Sequence, residues 1–121
     1  MKKITQNDLE QVADQMLAIF FGEVDVSMVT QGINDTTAKT IIRENLYRDM
    51  EYFYRYGDVF FTDDEMSGIV ALIDGKKFSS FKKTILSLKS NKIITNAATK
   101  EELKLLNSNA KKVQEVHSFN W

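Results

Sequence analysis

Val59-Phe60-Phe61-Thr62-Asp63-Asp64-Glu65-Met66-Ser67-Gly68-Ile69-Val70-Ala71-Leu72-Ile73 decides the fold class. Residues 59–63 are rich in β-formers, and Gly68–Ile73 is a second run of the same kind. The acidic stretch Asp63–Ser67 between them has the composition of a turn, so the segment reads as a β-hairpin. The return run is apolar at every position after Gly68. A strand of that pattern is expected at the centre of a sheet, covered on both faces.

Working towards the N-terminus, the period changes from two to about 3.6. Ala38, Ile41, Ile42, Met50, Phe53 and Tyr54 line one helical face, with Leu46 and Tyr47 between them. Asn34 or Asp35 caps this helix and Gly57 ends it. Glu44 with Arg48, and Glu51 with Arg55, stand four apart and are expected to support its exposed side. A first helix starts at an Asn7 cap with Glu10 three residues on, and carries Leu9, Val12, Ala13, Met16, Leu17 and Phe20 on one face. Gly22 stops it. Residues 23–33, with weakly alternating Val24, Val26 and Met28, read as an irregular or extended connection.

Towards the C-terminus, residues 78–90 and 100–114 read as two more helices. Ser79 or Ser80 caps the first, and Thr99 with Glu102 makes a capping box for the second. Val116-His117-Ser118-Phe119-Asn120-Trp121 then alternates, which predicts a strand with His117, Phe119 and Trp121 on one side. The expected fold is therefore one α+β domain over residues 1–121: a small, mostly antiparallel sheet with strands near Ile4, 59–63, 68–73 and 116–121, and about four helices.

Composition narrows the chemistry. The 121 residues suffice for one domain with a core, and 43% apolar with 27% charged residues is ordinary for a globular chain. Sixteen basic and seventeen acidic residues leave a net charge of −1, without the basic excess of a nucleic-acid binder. No cysteine is present, which excludes disulfides, thiolate metal sites and cysteine nucleophiles. The single histidine, His117, leaves little scope for a zinc centre or a histidine-based triad. Proline is absent, where average usage of about 5% would give about six, so nothing interrupts the helices. The opening Met1-Lys2-Lys3-Ile4-Thr5-Gln6-Asn7-Asp8 has no signal-peptide pattern and no apolar run is long enough for a membrane span, so the cytoplasm is the expected compartment.

Two local patterns have both a plain reading and a functional one. Asp63, Glu65, Ser67 and Asp74 have the rhythm of a calcium loop, but the flanks are strands rather than helices, and a solvated hairpin turn is expected. Arg43, Tyr47, Arg48, Tyr52, Arg55 and Tyr56 interleave bases and aromatics on the long helix. Such a face could stack on and neutralise a nucleic acid, or serve as an acceptor or partner surface with Tyr52, Arg55 and Tyr56; otherwise its tyrosines pack at the core rim and its arginines pair with Glu44 and Glu51, the reading that the balanced charge favours. Lys76-Lys77 and Lys82-Lys83 read as a solvated face.

The order strand, helix, helix, hairpin, helices, strand resembles the opening of the GNAT acetyltransferase superfamily. Lys3-Ile4-Thr5-Gln6-Asn7-Asp8-Leu9, leading into a helix that ends Ala18-Ile19-Phe20-Phe21, is similar to that family's first strand and helix. Tyr52-Phe53-Tyr54-Arg55-Tyr56-Gly57-Asp58-Val59-Phe60-Phe61-Thr62 is similar to the end of its second helix and its second strand. Asp64-Glu65-Met66-Ser67-Gly68-Ile69-Val70-Ala71-Leu72 resembles its hairpin turn and third strand, and Val116–Trp121 the start of its fourth. The family's Gln/Arg-x-x-Gly-x-Gly/Ala pyrophosphate loop has no counterpart, since Gly22, Gly32, Gly57, Gly68 and Gly75 never take that spacing.

The resemblance implies the N-terminal part of an N-acetyltransferase, truncated within the fourth strand and inactive as this chain. Acetyl-CoA is implied for the complete protein, and no cofactor or metal for these residues. It also implies Glu115 and His117 as candidate catalytic bases near the fourth strand. A non-catalytic interaction or dimerisation module is the other reading. No nucleic-acid or membrane partner is expected. Self-association is expected through the C-terminal strand, with Phe119 and Trp121 projecting from an unpaired edge.

Overall fold

The computed structural model describes residues 1–63, 65 and 67–119, the last four of these as backbone alone. Among the described residues the elements are β1 (Lys2–Lys3), α1 (Leu9–Phe20), α2 (Val24–Val29), α3 (Asp35–Tyr56), β2 (Asp58–Phe61), β3 (Ile69–Leu72), α4 (Ser80–Leu88), α5 (Asn91–Ala97) and α6 (Lys100–Phe119). The chain is α+β, with six α-helices and one three-stranded sheet among those residues.

The sheet runs β1-β2-β3 and is antiparallel throughout. Lys2 pairs with Phe61, and Phe61 with Ile69. The hairpin forms where its composition places it, but β2 rather than β3 takes the centre. β1 pairs with β2, which among the described residues leaves β3 with one neighbour, and Leu72 is 55% exposed. Coverage of β3 on both faces is therefore not found.

The pleat puts alternate side chains on opposite faces. Val59 and Phe61 point towards α1 and α3, where they meet Ile4, Leu9, Val12 and Met50 in the core. Ile69 and Ala71 join them from β3. Full burial of a side chain such as Phe61 contributes about 2–3 kcal/mol, so this layer is the main source of cohesion.

The helix starts follow local chemistry. Asn34 Oδ1 accepts the Thr36 and Thr37 N–H groups at 3.0 and 3.4 Å. Ser79 Oγ accepts the Lys82 N–H at 3.3 Å. Thr99 and Glu102 make the reciprocal capping box, both bonds at 3.1 Å. Before α1 the box is Thr5 with Asp8, the Asp8 carboxylate accepting the Thr5 N–H at 2.7 Å. It precedes the expected Asn7 cap because a single 3₁₀ turn, Gln6–Asp8, leads into the helix.

Three segments depart from the expectation. Residues 24–29, expected to be irregular or extended, form α2, which packs on α6. A helix of six residues is unstable alone, so this contact, invisible to local patterning, selects the helix. Asn91–Ala97 forms the separate helix α5, entered through Ser90 in helical conformation directly after α4. Val116–Phe119 continue α6 instead of forming a strand. Propagating an existing helix adds a bond for each residue, whereas six alternating residues gain ladder bonds only beside another strand. Asn120 and Trp121 lie outside the described residues.

Candidate functional site

The end of α3 and the beginning of β2 are joined by Gly57 alone. A Cβ at Gly57 would lie 2.1 Å from the Leu72 carbonyl oxygen, so glycine is required by the close approach of β3. This tight junction opens a polar cleft of about 490 Å3, lined by Arg55, Tyr56, Asp58, Asp74 and Lys77. Two cations and two carboxylates line it, and three of them already have partners: Asp58 lies 3.2 Å from Lys3 Nζ, Asp74 accepts the Lys76 N–H at 2.9 Å, and Arg55 lies 3.5 Å from Glu51 Oε2. Lys82 Nζ sits 4.7 Å from the Tyr56 ring centroid, a cation–π contact at the flank of the cleft.

Of the three residues expected on this surface, Arg55 and Tyr56 reach the cleft and Tyr52 does not. Tyr52 is fully buried, and its hydroxyl accepts the Ser79 N–H at 2.6 Å. Its ring meets Phe53, Tyr56 and Phe78 at centroid distances of 5.8, 5.2 and 5.7 Å. Tyr52 is thus a core residue that holds the start of α4, and the surface role is withdrawn from it.

Behind the cleft runs a polar network that the sequence pattern does not reveal. Ser90, 1% exposed, donates its hydroxyl to Glu44 Oε2 at 2.8 Å and accepts Arg48 Nε at 2.8 Å. Arg48 also bonds Glu51 Oε1 at 2.9 Å, and Arg55 lies 3.5 Å from the other Glu51 oxygen. Glu44 and Arg48 therefore meet through Ser90 rather than directly, and Glu51 is buried rather than on an exposed side. Ser90 is enclosed and its hydroxyl is engaged by both Glu44 and Arg48, so the geometry is that of a clamp from the α4–α5 junction onto α3.

A second cluster joins α1 to α3. Arg43 bonds Asp14 at 2.6 Å and also pairs with Glu10. These two bonds hold its guanidinium further above its ordinary pKa. Burial, followed by the charges of Glu10 and Glu51, pushes the Tyr47 hydroxyl up.

The other expected residues do not converge on the cleft. Glu115 is exposed on α6, which packs on α2. His117 lies in the last turns of α6 and not on a strand. With the fourth strand replaced by helix through Phe119, the edge proposed for Phe119 is absent, and Trp121 lies outside the described residues. In the hairpin, Asp63 Oδ1 accepts the Ser67 N–H at 3.1 Å and its other oxygen pairs with the Ser67 hydroxyl. That carboxylate closes the turn. Among the described residues no three acidic or histidine side chains are grouped to hold a metal ion, and no helix is long and apolar enough to cross a membrane.

No family model matches the chain, and no curated protein or solved structure matches it.

Proposed function

We propose that this chain is the N-terminal portion of a GNAT-like N-acetyltransferase, which in the complete protein moves an acetyl group from acetyl-CoA to an amine, and that these 121 residues are inactive alone. The observation that carries the reading is the connectivity. One strand, the helices α1, α2 and α3, and a tight hairpin form an antiparallel sheet in the order β1-β2-β3; this supports the first part of the order behind the resemblance, whereas residues 116–119, in its expected fourth strand, are helical. The cleft at Arg55 and Tyr56 is the acceptor or partner surface in this reading.

The residues present do not fit the pyrophosphate of acetyl-CoA. A helix start binds such an anion through free N–H groups. At α3, α4 and α6 the caps Asn34, Ser79 and Thr99 already take first-turn N–H groups, and no glycine-rich loop precedes them. No catalytic step is therefore assigned to this chain.

Two measurements test the reading. Acetyl-CoA at millimolar concentration is expected to leave the melting temperature unchanged, because a ligand that binds the native state must raise it. A saturable rise, competed by CoA, would overturn the predicted inactivity. Reading the coding frame past Trp121 is expected to reveal a Gln/Arg-x-x-Gly-x-Gly/Ala loop, and a native stop codon there would remove the acetyltransferase reading. A second reading, a non-catalytic dimerisation module, is favoured by the terminal position of β3 in the sheet.

A further inference from the structure

We propose that β3 pairs antiparallel with β3 of a second copy of this chain, about a two-fold axis at Ala71, joining two three-stranded sheets edge to edge. The proposal concerns the 121-residue chain and does not rest on the acetyltransferase reading.

The ladder defines what the edge presents. Thr62 N–H donates to the Gly68 carbonyl at 3.0 Å, which makes Thr62–Gly68 a hydrogen-bonded pair. Such pairs alternate in an antiparallel ladder, so Phe60–Val70 and Asp58–Leu72 are the next ones in the observed register. Val70 and Leu72 therefore direct their backbone groups to β2. Ile69 and Ala71 direct theirs to the open side, among the described residues. Ile69–Leu72 contains no charge and no proline, the features that usually blunt an edge.

The surroundings of this edge are apolar. Two pockets of about 230 and 210 Å3 lie between α1 and β3, and both include Ile19 and Ile69. Ile19 is 60% exposed. A second copy related by the two-fold would bring its own Ile19 and Ile69 to the same face and cover them.

Charge selects a second copy as the occupant. The charge before β3 is acidic and the charge after it is net basic: Asp63, Asp64 and Glu65 on one side, Asp74 with Lys76 and Lys77 on the other. Antiparallel pairing of identical strands sets each acidic end beside a lysine end. With Ala71 opposite Ala71, Val70 faces Leu72 and Ile69 faces Ile73; beyond the strand ends, the acidic hairpin turn of each copy lies at the same end as Lys76 and Lys77 of the other, twice by symmetry. A net charge of −1 opposes association little.

Sedimentation across a concentration series is expected to show a monomer–dimer equilibrium. Ala71→Pro removes the outward N–H at the centre of the pairing, leaves the bonds to β2 in place, and is expected to give monomer. Should that variant not fold, charge reversal tests the same antiparallel pairing. Glu65→Lys or Lys77→Glu alone is expected to raise the dimer Kd about tenfold, with the double reversal restoring it. Amide exchange at Ile69 and Ala71 is expected to slow as concentration rises. A monomer at all concentrations up to about millimolar, or a dimer indifferent to the charge reversals, overturns the proposal.

Discussion

The chain before Thr62 and the chain after it are held together by different forces. Ile4, Leu9, Val12, Ala13, Ala38, Ile41, Met50, Tyr52, Val59 and Phe61 are buried in the first part; in the second, among the described residues, Leu86 is the buried apolar side chain. Phe78, Phe81, Ile85, Leu88, Ile93 and Leu105 are exposed there. Within the second part, β3 is laddered to β2 and sets Ile69 and Ala71 against the core; the helices after it carry polar contacts to the first part, Ser90 to Glu44 and Arg48, the Ser79 N–H to Tyr52, Thr37 Oγ1 to the Ala97 carbonyl, and Asn109 Nδ2 to the carbonyls of Val29 and Gln31, beside the ring contact of Phe78 with Tyr52. Apolar burial is non-directional and cumulative, whereas each polar contact needs both partners in place. The first part is therefore expected to unfold as a unit, and the helices after β3 to open locally at lower free energy.

The contrast is sharpest for two phenylalanines. Phe61→Ala is expected to destabilise the whole chain by about 3–5 kcal/mol, from lost burial and the cavity left behind. Phe81→Ala, at a residue 73% exposed, is expected to change stability by less than about 0.5 kcal/mol. Denaturant unfolding measures both, and equal effects would erase the distinction between the two parts.

Ser90→Ala tests the polar attachment. It leaves Arg48 Nε and a half-buried Glu44 oxygen without their shared partner, with an expected cost of about 1–3 kcal/mol. The loss should be local, with amide exchange accelerated in α4 and α5 while α1 and β2 keep their protection. Acceleration everywhere would mean that both parts form one cooperative unit. Tyr52→Phe is expected to cost about 1 kcal/mol, because the Ser79 N–H loses its acceptor while the ring contacts with Phe53 and Phe78 remain.

Acid should act weakly on both parts through their capping carboxylates. The Thr5 N–H holds Asp8 below its ordinary pKa, and the Thr99 N–H does the same for Glu102. A carboxyl depressed in the folded state adds stability above its unfolded pKa, and this is lost as pH falls through the folded value. The melting temperature is therefore expected to fall below about pH 4. Glu102→Gln should flatten part of that fall; an unchanged profile would show that the α6 cap contributes nothing.

Much of the fold was legible in local chemistry. The caps at Asn34, Ser79 and Thr99, the stop at Gly57 and the hairpin around Asp63–Ser67 each involve residues two to four apart, and the structure keeps them. Arg55 and Tyr56 were legible as a polar end of a helix and reach the cleft. Tyr52 belonged to the same visible stripe, yet its burial depends on Ser79 and Phe78, more than twenty residues away. Ser90 carried no signal, since a serine between Lys89 and Asn91 resembles any other until Glu44 and Arg48 are folded against it.

The sequence by itself determined, to within a residue, where the helices α3, α4 and α6 start and that a hairpin follows α3, because capping and turn bonds close within a few residues; the start of α1 it placed at Asn7, where the structure has the Thr5–Asp8 box instead. Only the tertiary structure decided that β2 is central and β3 an edge, that residues 24–29 are helical, that Glu51 and Ser90 are buried, and that Val116–Phe119 prolong α6. Each of these depends on which distant segment lies alongside, and a six-residue alternating run has no ladder bonds to make until such a neighbour is present.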